Sequence, residues 1–179
     1  LMTALRSGEV LSAEWGHIFE EEWIVPVSNT KSKASAHKVP LTKDVKKALK
    51  ELKEITGKTP YLFPQSRYMD GKLELMRNGR TGKYEPTKPS TVSKVLKVQT
   101  DIEAYTPHDL RRTAATHIKS LGYLDAEIGM LLHHSTSDVT AIYARGDDMK
   151  RKLKMLNAWH RQLKTILTGK KDSKVVGFK

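Results

Sequence analysis

Residues 106–145, TPHDLRRTAATHIKSLGYLDAEIGMLLHHSTSDVTAIYAR, decide the fold and concentrate the chemistry of this chain. Thr106 precedes a proline at the first helical position and an aspartate in the first turn, which together start a helix. Leu110, Ala114, Ile118 and Leu121 recur at helical spacing as its core stripe, and Gly122 stops it. His108 and Arg111 are three residues apart, so one helix face presents both. A shorter helix over about Asp125 to Leu132 leads into the His133-His134 turn. Tyr143 follows nine residues after His134, inside the apolar pattern Val139 and Ile142 of a further helix. A cation, an imidazole and a phenol thus arrive in order, at spacings that suit attack by a tyrosine on a phosphodiester. A lone tyrosine in a short apolar helix is more often a half-buried core residue, so Tyr143 draws its meaning from these neighbours.

Upstream, Leu1 to Leu11 has the pattern of the end of an amphipathic helix with no cap before it, as expected for a fragment of a longer chain. Trp23 to Val27 and His37 to Leu41 are short, β-branched segments around the polar stretch Ser28 to Ala36, the pattern of a hairpin. Val45, Ala48, Leu49, Leu52 and Ile55 define a helix from about Lys43 that Gly57 ends. Gln65 to Pro89 is polar and glycine-containing, and reads as a long loop or linker. Ser90 suits an N-cap for a helix carrying Val92, Val95, Leu96 and Val98. Met149 to Leu167 carries Leu153, Leu156, Trp159, Leu163 and Ile166 along one face of a last amphipathic helix. The expected fold is mainly α with a small antiparallel β-sheet or hairpin. Residues 1–167 are expected as one catalytic domain, and residues 168–179 as a basic tail.

The 179 residues and 38% hydrophobic content suffice for one ordinary core. Lysine plus arginine number 32 against 20 acidic residues, a net charge of +12, which favours a polyanionic partner such as nucleic acid. If roughly 6 to 10 cations neutralise phosphates, affinity should fall about a thousandfold or more between about 50 and 200 mM salt. The absence of cysteine excludes disulfides, thiolate metal sites and cysteine nucleophiles. No apolar run approaches the roughly 20 residues that span a bilayer, so no membrane partner is expected.

The run from His108 through Arg111 to Thr113, then Leu131-Leu132-His133-His134 and Tyr143, resembles the catalytic signature of the tyrosine recombinases. More narrowly, it is similar to the integrases of bacteriophages and genomic islands. Ala4 to Leu11 resembles the segment carrying that family's first catalytic arginine, which makes Arg6 the matching residue and Glu9 its acidic companion. Trp23 to Val27, Thr30-Lys31 and His37 to Leu41 resemble the family's β-hairpin, whose turn carries a catalytic lysine. Lys31 matches best and Lys33 is the rival. His133 departs from the family's pattern, which has glycine there.

Transesterification at phosphorus needs a nucleophile, neutralisation of the non-bridging oxygens and a proton for the leaving alkoxide. Arg6 and Arg111 supply forked donors for the phosphate. The resemblance implies that Tyr143 is the nucleophile, that His134 hydrogen-bonds a phosphate oxygen, that His108 assists proton transfer and that Lys31 protonates the departing 5′ oxygen. It implies a 3′-phosphotyrosyl intermediate, no metal or nucleotide cofactor, and double-stranded DNA attachment sites as substrate. It also implies a tetramer on DNA, with the isolated domain monomeric, plus accessory DNA-bending and directionality proteins in the bacterial cytoplasm, at the nucleoid when active. The competing readings are a catalytically inactive DNA-binding relative, a type IB topoisomerase-like enzyme and an RNA-binding basic domain. A zinc site from His108, His117, His133 and His134 would lack any cysteine or carboxylate at ligand spacing.

Overall fold

The computed structural model describes residues 1–99, 106–134 and 148–169. Its helices are α1 (Ser7–Leu11), α2 (Lys43–Thr56), α3 (Pro89–Gln99), α4 (Pro107–Ser120), α5 (Asp125–Leu131) and α6 (Asp148–Thr168). Its strands are β1 (Glu22–Val25), β2 (His37–Pro40), β3 (Ser66–Met69) and β4 (Lys72–Leu75), forming two separate antiparallel pairs. The mainly helical class with small antiparallel sheets expected from the sequence is therefore the fold observed. Among the described residues, no helix is long and apolar enough to cross a membrane.

Helix α4 begins where the capping signals put it. Thr106 directs its backbone N–H and its hydroxyl at the Asp109 carboxylate, at 3.0 and 2.6 Å, so the first turn closes on itself. At the other end Gly122 takes φ +89°, a conformation that costs a glycine little. Ala114 and Ile118 bury one face of α4, and Arg111 is buried on that face with them. The face packs against α6, whose Met155, Leu156 and Trp159 are fully buried. The Trp159 indole donates to the Leu1 carbonyl at 3.2 Å and stacks on His117, which fastens the last helix to the start of the chain.

Strands β1 and β2 pair Trp23 with Val39 and Val25 with His37, and all four side chains are buried. Period-two alternation therefore sends His37 into the core alongside valines. Helix α6 covers β2, and the Lys152 ammonium donates to the Lys38 carbonyl at 2.8 Å.

At the start of α2, the Thr42 hydroxyl oxygen accepts from the Val45 N–H at 3.3 Å and lies 3.0 Å from His160 Nδ1. His160 Nε2 donates to the Met2 carbonyl at 2.8 Å, so the ring links the start of α2 to the start of the chain. Thr42→Ala should lower stability by about 1 kcal/mol, the usual worth of such a cap. That corresponds to a thermal midpoint roughly 2–4 °C lower in a chain of this size. An unshifted melt would show that neither the cap nor the histidine contact stabilises the fold.

Two segments differ from the expectation. Residues 1–6 are not helical, because Ala4 is buried at φ +52° and the helix starts only at Ser7. The stretch expected as a loop over 65–89 contains the β3–β4 hairpin, closed by Asp70 at φ +50° and Gly71 at φ +76°. Two consecutive left-handed residues make the turn that fits the twist of a hairpin, and Asp-Gly is its sequence signal. The strands themselves are exposed, so they show no inward-outward alternation to read.

Candidate active site

Glu9 organises the site. Its carboxylate accepts from the Arg6 backbone N–H and from the Arg6 guanidinium, both at 2.9 Å, and is only 2% exposed. The Arg6–Glu9 contact is thus not the weak solvated pair that spacing alone allows. Burial opposes ionisation of Glu9, but the His37 ring and the two Arg6 donors outweigh it and hold the carboxyl down at about 2. His37 Nδ1 is 3.9 Å from the carboxylate, an ion-pair separation rather than a hydrogen bond.

Arg111 joins three segments that are distant in sequence. Its Nη1 donates to the Ala4 carbonyl at 2.7 Å and lies 3.9 Å from Glu9 Oε2, while Nη2 donates to the Leu132 carbonyl. One guanidinium thus fixes the residue two before Arg6 and the residue two before His134. Arginine carries five N–H donors. Among the described residues two are engaged, by these carbonyls, and three N–H groups of the fork are not. Burial, then the nearby Arg6 charge, push Arg111 down to about 10, against the opposing pull of Glu9. It remains a cation at neutral pH.

His134 follows the end of α5, with its backbone N–H bonded to the Gly129 carbonyl at 3.0 Å. Its imidazole is pushed below the usual histidine value by burial, then by the charges of Arg111, Arg6 and His108. Those three neighbours place four of the six expected residues in one electrostatic environment. His108 is exposed in the first turn of α4, and Arg112 turns away to pair with Asp109 at 3.6 Å. Lys31 and Lys33 are exposed on the β1–β2 connection, and among the described residues neither has a hydrogen bond or ion pair to this cluster. Tyr143 lies outside the described residues.

His37, which the sequence marks only as the start of the second hairpin segment, lies beside this group. Its Nε2 donates to the Leu131 carbonyl at 3.0 Å, and its ring stacks on His133 with centroids 4.7 Å apart. The only signal for it in the sequence is its place in the inward register of β2.

The lowered Glu9 carboxyl has a testable sign. A carboxylate depressed from 4.5 to about 2 on folding adds about 3 kcal/mol above pH 4.5, lost as pH falls towards 2. His37, His133 and His134 are all depressed below 6.5 as well, chiefly by burial, so their stabilisation is lost as pH falls below 6.5. Urea-unfolding free energies should therefore decline in two stages on acidification. Glu9→Gln should be less stable at pH 7 and should flatten the decline below pH 4.5, while the histidine stage steepens because Glu9 no longer raises His37 and His133. A parallel pH profile for the two proteins would show that Glu9 is not the group responsible.

A mainly helical chain that gathers Arg6, Arg111 and His37 around the buried Glu9 carboxylate, with His134 in the field of both arginines, presents cations suited to a phosphodiester. The chain belongs to the phage integrase family, whose model matches residues 1–150. Among solved structures it is similar to the Tn1549 transposon integrase in complex with circular intermediate DNA, at 17% identity and a TM-score of 0.47. That match covers 84% of this chain and 53% of the other. A lysine-for-arginine variant of the same integrase, also with circular intermediate DNA, matches at 15% identity and a TM-score of 0.46, covering 86% and 55%. The chain thus spans about half the length of the solved proteins it matches. No curated protein matches it.

Proposed function

We propose that this chain is the catalytic domain of a site-specific tyrosine recombinase, the integrase of a phage or genomic island, acting on double-stranded DNA attachment sites. The observation that carries the proposal is Arg111, which ties the Arg6 segment to the His134 turn through Ala4 and Leu132. Family membership over residues 1–150 supports it independently.

In this reading the scissile phosphate takes donors of Arg6 and Arg111, His134 hydrogen-bonds one of its oxygens, and His108 assists proton transfer near Tyr143. The Tyr143 oxygen attacks phosphorus as its proton passes to His108, the bond to the 5′ oxygen breaks, and Lys31 gives that oxygen a proton. The product is a 3′-phosphotyrosyl protein and a free 5′ hydroxyl. A second 5′ hydroxyl reverses the step on another strand, so exchange needs neither ATP nor a metal. The physiological species is a tetramer on DNA, with accessory bending and directionality proteins as partners.

The test is incubation with a nicked suicide duplex carrying the junction of the parent mobile element, followed by a denaturing gel and mass spectrometry of the linked peptide. A DNA-linked peptide containing Tyr143 is expected. Tight binding without an adduct would favour an inactive DNA-binding relative, and relaxation of plasmid without strand exchange a topoisomerase.

A further inference from the structure

His133 occupies a backbone position that suits glycine. It follows the last residues of α5 at φ +50°, the left-handed conformation in which helices commonly end on glycine. A side chain there is strained where glycine is not. The imidazole has contacts that offset this. Its Nε2 lies 3.0 Å from the Ser35 hydroxyl, and its ring lies on His37 at an interplanar angle of 13°. Both partners belong to the segment that runs from the Lys31 and Lys33 connection into β2, 98 residues away from His133 in the Ser35 contact. The next residue after His133 is His134. The far side of the clamp is itself anchored, since His37 donates to the Leu131 carbonyl and Lys152 holds the Lys38 carbonyl.

We propose that His133 is a positioning residue, whose imidazole clamps the lysine-bearing connection to the His134 turn through Ser35 and His37. The clamp sets where the proton donor meets the departing 5′ oxygen. This rests on the recombinase reading above, with Lys31 or Lys33 as donor. In the step concerned the Tyr143 oxygen, its proton taken up by His108, bonds to phosphorus and the 5′ oxygen leaves with its electron pair. The lysine ammonium supplies the proton and becomes a neutral amine. His133 donates nothing to the reacting atoms. Loss of the clamp therefore affects leaving-group protonation and spares attack.

A bridging 5′ sulfur separates the two. A thiol has a pKa near 8.5, so a thiolate leaves without a proton where an alkoxide does not. Single-turnover cleavage by the parent chain, His133→Gly, Ser35→Ala, and Lys31→Ala with Lys33→Ala would be measured on suicide duplexes with oxygen or sulfur at that position. Glycine relaxes the backbone at residue 133, and Ser35→Ala leaves it untouched, so a folding defect shared by both is not expected. Both should cleave the oxygen substrate about 10-fold or more slowly, as misplacement of a catalytic group does. Both should cleave the sulfur substrate within about twofold of the parent, because no proton has to be placed. A parent adduct with His133→Gly unchanged on oxygen, or slowed equally on both substrates, overturns the positioning role and leaves the recombinase reading standing. An oxygen-specific defect in neither lysine variant removes the hairpin lysine as donor and this inference with it. Failure of the parent to form any adduct on either duplex overturns the recombinase reading itself.

Discussion

Tyr143→Phe should abolish the covalent protein–DNA adduct while leaving DNA affinity nearly unchanged. The two halves of this expectation have separate causes. Affinity comes mainly from phosphate neutralisation by a chain of net charge +12, and the substitution changes no charge. Adduct formation needs an oxygen that can attack phosphorus, and phenylalanine has none. A phenol of pKa about 10 is about one part in a thousand ionised at neutral pH, so the hydroxyl has to be activated by cations around it. Arg6 and Arg111 sit close enough that the charge of one helps push the other down to about 10, so positive charge is concentrated before any substrate arrives. An anionic phosphate relieves that repulsion, and a phenolate shares the same stabilisation. The check is a denaturing gel beside a binding titration at several salt concentrations. An adduct that survives in Tyr143→Phe would move the nucleophile elsewhere; a large loss of affinity would make the tyrosine a binding residue.

Much of the fold was legible because its signals are local. The α4 start reads from Thr106, Pro107 and Asp109, and its end from Gly122. The β1–β2 pair and the long last helix follow from periodicity in the same way. The β3–β4 hairpin was missed because its strands are exposed and lack alternation, although Asp70-Gly71 carried the turn chemistry. The non-helical start was missed because Ala4 is buried at a positive φ that nothing in the sequence marks, and its carbonyl is held by a guanidinium 107 residues away. Of the residues expected at the site, Arg6, His108, Arg111 and His134 share one electrostatic environment, whereas Lys31 is exposed and Tyr143 lies outside the described residues. What spacing cannot give is depth. Glu9 and Arg6 could equally have been a solvated pair, and only the approach of Arg111 and His37 makes the carboxylate a buried hub. Similarly, His133 could only be seen as a departure in the sequence. Its partners are Ser35 on the β1–β2 connection and His37 on β2, a strand whose docking depends on α6 and the core.

Arg111→Ala should cost both rate and stability, and Arg6→Ala should cost mainly rate. Arg111 is almost fully buried, bonded to two carbonyls and beside the Glu9 carboxylate. Its removal leaves the Ala4 and Leu132 carbonyls without that donor and Glu9 with one compensating charge fewer. Breaking a buried ionic group this way typically costs about 3–5 kcal/mol. The Arg6 side chain is 24% exposed and among the described residues forms an ion pair with Glu9 alone, so solvent replaces part of what it gives. In both variants, loss of a transition-state donor should slow strand cleavage by roughly 100-fold or more. The two effects are separable by measuring single-turnover cleavage at a temperature well below each variant's melt, with circular dichroism confirming the folded state. If the phosphate is clamped between the two arginines, rates fall comparably while the melts differ. An Arg111→Ala protein with parental cleavage would remove that guanidinium from the chemistry and leave it as a fastener between the amino-terminal turn and the end of α5. A melt equal to that of Arg6→Ala would deny the fastening instead. The same guanidinium is expected to serve both purposes because its engaged donors fix the direction of the free ones, so the protein's need to satisfy a buried cation also aims it at the phosphate.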